Sequence, residues 1–348
     1  MSALLSKAPY GTRDNALFLE EMNSLTRHHL ECCAEYSRIW PDWHGAASIE
    51  DIPFLHVGVF KYAQLRTNKN GLKHERILKS SSTTSSHSAM IALDTRSSKL
   101  QSESSTKILT DFVGNKKRIL LIIDSARSLR HRGEVSARIA AAMSIKPLST
   151  DIRFLLDKPD DPNSMKWDTL KEALDKDDDF IVYGFSWILW LAWQTEQMPS
   201  SVKSALKDKR FHFVHSGGWK KMEESKIDRE RFESSLIGTV HPSSKVVDFY
   251  GLVEQVGVIY PLCKFGFRHV PVWADVLVRD TYTLASLEEE TGQLQFMNTL
   301  AYGAPYHSVL TEDLGRIIRG ECTCGRQGKR WQMMGRMPKA EIRGCANV

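Results

Sequence analysis

The chain has 348 residues, 42% of them apolar and 26% charged, an ordinary globular composition with length for one large domain or two medium ones. A net charge of +5, with no dense Lys/Arg stripe interleaved with aromatics, argues against a nucleic-acid partner. The most apolar stretch, Phe180 to Trp193, is too short to span a bilayer, and the amino terminus lacks a signal peptide's apolar core, so a soluble cytoplasmic protein without a membrane span is expected.

Residues 14 to 40 carry Leu17, Met22, Leu25, Leu30 and Ile39 at approximately helical spacing, and Pro41 ends that helix. Ile52 to Phe60 is a short extended segment leading into a turn. Lys79 to Ser88, KSSSTTSSHS, admits two readings: a flexible low-complexity loop, or a phosphate loop followed by a helix whose amino terminus faces an anion. Arg118 to Asp124 (RILLIID) is a buried strand, and 133 to 145 an Ala-rich helix. Phe180 to Gly184 is a second buried strand, continued by an apolar helix at 187 to 194. Arg210 to His215 is a strand that runs into Ser216-Gly217-Gly218, and Lys245 to Tyr250 is a strand ending at Gly251. Short strands and turns follow from 270, as a β-rich subdomain. Alternating strands and helices with Gly-rich turns at strand ends indicate an α/β fold, sheets flanked by helices, with ligand loops at the carboxyl ends of strands.

Several loops stand in a telling order: the Ser/Thr run, HSGGWK at 215 to 220, DFYGLVEQVG at 248 to 257, TEDLG at 311 to 315 and MMGR at 333 to 336. The order resembles that of the adenylate-forming enzymes. RHHLECCAEY at 27 to 36, DIPFLHVGVFK at 51 to 61, RHVPVW at 268 to 273 and the terminal RGC at 343 to 345 narrow the resemblance to the acyl-protein synthetases of the LuxE type, over nearly the whole chain.

That resemblance implies activation of a fatty or aryl acid as acyl-AMP, with ATP and Mg²⁺ as cofactors. It implies that Ser81, Ser82, Thr83 and Thr84 lie at the phosphates, and that Gly217, Gly218 and Trp219 form the adenine loop. Tyr250 and Gly251 follow in the aromatic-Gly loop, with Tyr250 stacked on adenine. Glu254 would hold Mg²⁺, Asp313 would accept hydrogen bonds from both ribose hydroxyls, and Arg336 would reach the phosphates or ribose. One departure stands out. Ser80 to Ser86 contains no glycine, with Ser82 and Ser85 where the family pattern has one, so the loop has less freedom to wrap a phosphate.

The resemblance implies one acyl-adenylate-forming domain over 1–335 and a tail, 336–348, in place of the lysine-bearing domain usual in such enzymes. In the tail, Cys345 within Arg343-Gly344-Cys345 is the expected acyl acceptor, with Arg343 favouring its thiolate. The acyl group would then pass to a protein partner, a reductase or a carrier. The alternatives are an acid ligase that passes acyl-AMP to coenzyme A, a carrier protein or an amine, and a non-catalytic scaffold. Phe185, Trp187, Ile188, Leu189 and Trp190 are candidates for an apolar acyl slot or for plain core.

Of six cysteines, Cys32 and Cys33 belong to the packing of the first helix. Cys263, His269, Cys322 and Cys324 together make a Cys₃His set suited to structural zinc. Two other roles remain open from the sequence: Cys263 as a small buried hydrophobe, and His269 facing the acyl site.

Overall fold

A computed structural model describes residues 2–68, 71–80, 88–129, 134–219, 227–255 and 257–338. Two sheets carry the molecule. The first has six strands in the order Tyr260–Pro261, Lys245–Tyr250, Arg210–Ser216, Asp179–Phe185, Arg118–Ser125 and Ser149–Leu156; all are parallel except the short Tyr260–Pro261 edge. Arg118–Ser125 and Asp179–Phe185 are buried at every position, which is why they are near-continuous apolar runs: helices cover both faces of a parallel sheet. At the amino ends of the strands one carboxylate sets the alignment. Asp179 receives Arg118 Nε at 2.8 Å, Lys116 Nζ at 3.2 Å and His212 Nε2 at 3.1 Å. The opposite, carboxyl ends open on the candidate site.

The second sheet is mostly antiparallel. Its strands run Arg268–His269, Arg330–Arg336, Ser308–Ile318, Gly292–Asn298, Ala274–Arg279 and Ser286–Leu287, and the two-residue strand Leu55–His56 pairs in parallel with Val309 and Leu310. A third, three-stranded sheet joins Met90–Asp94, His74–Lys79 and Glu134–Ser136. One apolar core runs from the parallel sheet to Trp273, Phe296 and Trp331 of the second sheet. A smaller core gathers Tyr36, Phe60, Leu93 and Tyr306.

The α/β expectation holds, with local differences. The first helix breaks at Cys33 into Asn15–Cys32 and Ala34–Ile39, because Cys33 leaves helical backbone (φ −132°, ψ 100°). The Ser/Thr run is followed by the strand Met90–Asp94 rather than by a helix, and helix Thr95–Val113 comes only after it. The Ala-rich helix is shorter than expected, Ala137–Ser144, with Ser136 accepting at its amino end from the Ile139 amide at 3.3 Å. Among the described residues no helix is long and apolar enough to cross a membrane.

Candidate active site

Tyr250, at the carboxyl end of Lys245–Tyr250, donates its hydroxyl to Asp313 Oδ2 at 2.7 Å. Arg336 Nε lies 3.2 Å from Asp313 Oδ1, and the two residues sit opposite each other in the hairpin of Ser308–Ile318 and Arg330–Arg336. The hairpin therefore brings together an aspartate and an arginine that are far apart in sequence. Arg336, assigned from sequence to the start of the tail, is the last residue of its strand. The Tyr250 ring stacks on Phe296 (5.4 Å, 29°) and meets Trp331 edge-on. One face of the ring is thus already covered. Burial and then the Asp313 carboxylate hold the phenol well above its ordinary value, so it remains a neutral donor.

Glu254 sits in the one-turn helix Val253–Gln255 just beyond Gly251. It is buried, and among the described residues no ion pair is drawn to it. Burial, with a further push from Asp313, raises its carboxyl to about 7, against opposing pulls from Lys61 and Arg336. A buried carboxylate without its own counterion suits a hard cation. Gln255 next to it is fixed: Asn298 Nδ2 donates to its Oε1 at 2.8 Å, and its Nε2 donates to the Tyr306 carbonyl at 2.8 Å.

Beside this loop lies a cavity of about 360 Å³. Phe185, Phe249, Leu252, Val258 and Ile259 give it apolar walls, and Ser216, Gly217 and Gly251 border it at the strand ends. Gly217 has φ +64°, a left-handed backbone, and a Cβ there would stand 3.3 Å from the Phe185 ring. Two helices contribute matching stripes to the wall, Ser98, Gln101, Ser102 and Ser105 from one and Ala137, Ala140, Ala141 and Ser144 from the other, the second helix adding Ile139 and Met143, and Leu78, Leu93 and Leu129 extend it. Both stripes follow i, i+3, i+4, i+7, one face of a helix in small or polar residues. That spacing was visible in the sequence, but nothing in it says that the two faces meet across a cavity.

Other expected residues fall elsewhere. Gly218 follows Gly217 in the same loop but does not line the cavity. Trp219 is buried in an aromatic cluster, edge-on to Trp190 at 6.4 Å and Phe232 at 6.2 Å, and also stands away from the cavity wall. The apolar slot drawn over 185 to 190 is corrected. Phe185 alone of that set lines the cavity, while Ile188 and Leu189 are fully buried in the core and Trp187 and Trp190 pack against it. A helix as apolar as Ser186–Trp193 is used up in packing against the sheet. Ser81, Ser82, Thr83, Thr84 and Cys345 lie outside the described residues. The Ser/Thr run joins two paired strands, and at its base the Ser80 amide donates to Ala89 O at 3.0 Å. Sequence reasoning missed Asp248 and Arg268: Arg268 Nη2 binds Asp248 Oδ2 at 2.8 Å and Nη1 donates to Tyr260 O at 2.6 Å, tying the site strand to the edge.

A sequence model of the family described as acyl-protein synthetase, LuxE, matches residues 9–348. The chain belongs to the LuxE acyl-protein synthetase family. It is 25% identical over 140 residues to a long-chain-fatty-acid–luciferin-component ligase of Aliivibrio fischeri, a match that takes in 39% of this chain and only 36% of that protein. In three dimensions this LuxE-family chain is similar to 2-hydroxyisobutyryl-CoA ligase. The open form with 2-HIB-AMP and CoA superposes with a TM-score of 0.63 at 14% identity, over 92% of this chain and 74% of that one. The form in the thioesterification state gives 0.64 at 14% identity, over 93% and 68%. The family member thus shares its α/β fold with the part of 2-hydroxyisobutyryl-CoA ligase that it covers.

Proposed function

We propose that the chain activates an apolar carboxylic acid with ATP as an acyl-adenylate and passes the acyl group to the thiol of Cys345, for delivery to an acyl-accepting protein. The observation that carries this reading is the Tyr250–Asp313–Arg336 cluster standing with Glu254 next to an apolar cavity at the carboxyl ends of the strands. In the first step an oxygen of the substrate carboxylate bonds to the α-phosphorus of ATP, and the bond to pyrophosphate breaks with its electrons. In the second the Cys345 thiolate bonds to the acyl carbon and AMP departs with the carbon–oxygen electron pair. Asp313 would take the ribose hydroxyls in exchange for its present contacts, Arg336 would face the phosphates, and the backbone at Gly217 and Gly218 would approach the adenine edge. Glu254, a buried carboxyl, would hold Mg²⁺, whose charge would offset that of the triphosphate. The cavity walls suit an acyl chain or ring, since most of a ligand's surface is held by apolar contacts in such a site.

Pyrophosphate exchange with a panel of fatty, aryl and short acids tests the first step, and background exchange with all of them would end the proposal. Labelled acid with ATP should leave the protein acylated in a hydroxylamine-sensitive bond. Cys345→Ser should abolish that label and leave exchange intact; a label that survives moves the acceptor to another residue.

A further inference from the structure

We propose that Cys263, His269, Cys322 and Cys324 form a structural zinc site that clamps the hairpin carrying Asp313 and Arg336 at its far end. The three sulfurs and one imidazole nitrogen all lie within 4.8 Å of one another. Cys263 Sγ is 3.9 Å from Cys322 Sγ, and Cys324 Sγ is 3.2 Å from His269 Nε2. A tetrahedral zinc with Zn–S bonds of about 2.3 Å requires sulfur–sulfur edges of about 3.8 Å. The thiols therefore already stand near the corners of such a site. They come from three separate pieces of chain. Cys263 follows the edge strand Tyr260–Pro261, His269 lies on Arg268–His269, and the two other cysteines lie in the turn between Ser308–Ile318 and Arg330–Arg336.

The main chain around the sulfurs gives a second, independent indication. Cys263-Lys264-Phe265-Gly266 and Cys322-Thr323-Cys324-Gly325 fold as matching turns. Each closes with the glycine amide donating to the first cysteine's carbonyl, at 2.9 and 3.0 Å, and each glycine is left-handed, at φ +81° and +83°. The guanidinium groups of Arg330 and Arg326 stand against Cys322 and Cys324. Three thiolates around Zn²⁺ leave one net negative charge, and these arginines offset it. A disulfide explains less: 3.9 Å is far beyond an S–S bond, and it would leave Cys324 and His269 without purpose. Four protein donors close the coordination sphere, so the role is structural rather than catalytic.

The location says what the metal would do. Ile318 pairs with Arg330 beside the cysteine turn, and Asp313 pairs with Arg336 at the other end of the same hairpin. Clamping the turn to the Cys263 loop fixes the hairpin against the edge of the parallel sheet, where Tyr250 begins its contact with Asp313.

The full chain, purified without chelator or added metal, should contain one zinc per molecule by elemental analysis. Growth in cobalt should give the intense visible bands of tetrahedral, thiolate-bound Co²⁺. Cys324→Ser and Cys322→Ser should lose the metal and melt about 10 °C lower or more, since zinc binding energy here is folding energy. Should those variants fail to fold, His269→Cys and Cys324→His keep four donors and are expected to retain zinc, as is Cys32→Ser outside the cluster. Stripping with a mercurial reagent and chelator should release one equivalent. Metal-free protein with undiminished melting temperature, iron in place of zinc, a Cys263–Cys322 disulfide by mass spectrometry, or zinc that persists after loss of two of the thiols would each overturn the proposal.

Discussion

The two large sheets bury their strands by opposite means. Arg118–Ser125 and Asp179–Phe185 enter the parallel sheet as apolar runs, with charge concentrated towards their ends. The second sheet buries Asp275, Arg279, Gln293, Gln295, Asn298 and Thr311 among its apolar residues. Each is given partners, in separate sets: Arg279 Nε donates to Gln295 Oε1 at 2.6 Å and Gln295 Nε2 to Ser308 Oγ at 2.9 Å, Gln293 Nε2 to Thr311 O at 2.9 Å, and Asn298 Nδ2 to Gln255 Oε1 at 2.8 Å. The last bond ends on the neighbour of Glu254. The parallel sheet is therefore a platform held by area removed from water, which is non-directional. The antiparallel sheet positions, because hydrogen bonds fix distance and angle and a buried partner left alone is costly. The site lies where the platform's strand ends meet the positioning sheet.

The contrast predicts where each kind of damage appears. The largest effect is expected in the platform. Ile181→Ala, at a fully buried position, should cost about 4 kcal/mol by denaturant unfolding, with the exchange rate of the remaining folded protein little changed. Asp275→Ala should cost about 3 kcal/mol by stranding Arg13 and Lys329, at 2.8 Å from one oxygen and 2.5 Å from the other. Burial raises the Asp275 carboxyl, but Lys329 and Arg13 outweigh it and hold it below its ordinary value. Its contribution is accordingly present above the unfolded carboxylate range and lost as pH falls through the lower folded value. A melt that is insensitive to pH below 4 in wild type would contradict that pairing.

Glu254 gives the reverse sign. Burial lifts it to about 7, above the ordinary 4.5 of a free carboxyl, so wild type loses stability as pH rises from 4.5 to 7 and levels off above. Glu254→Gln should match wild type near pH 4 and exceed it by up to about 3 kcal/mol at pH 8, while exchange activity falls. A stability gap that does not widen over that window would contradict the burial of the Glu254 carboxyl. Asp313→Ala should lower exchange by about 100-fold, or roughly 2.7 kcal/mol, and cost about 1–2 kcal/mol of stability: the Arg336 pair is 64% exposed and contributes little, but the Tyr250 hydroxyl loses its acceptor. Trp219→Phe is the smallest: exchange within about twofold, since the side chain packs with Trp190 and Phe232 away from the cavity wall. A large loss there would return Trp219 to the nucleotide.

Buried parallel strands were legible because their sequences are near-continuous apolar runs, so Arg118–Ser125 and Asp179–Phe185 fall within a residue of their expected bounds. Ser149–Leu156 was not, because STDIRFLL forms an edge strand whose first residues stay partly or fully exposed, and its pattern is mixed. The buried glutamines and asparagine of the second sheet were equally silent. Their polarity suggests surface, and only neighbours from other strands satisfy them.

What the sequence determined by itself was the α/β class, the strand-end loops, and which residue types stand in them, including the Cys₃His set. Those follow from local periodicity and from side-chain chemistry. The tertiary structure decided which of these residues meet. It paired Asp313 with Arg336 across a hairpin and gave Tyr250 to Asp313 rather than to open solvent. It turned the apolar helix Ser186–Trp193 into the core and brought two helix faces against the strand-end loops to enclose the cavity. Such choices depend on register and on packing between segments far apart in the chain, and short-range patterns carry no information about either.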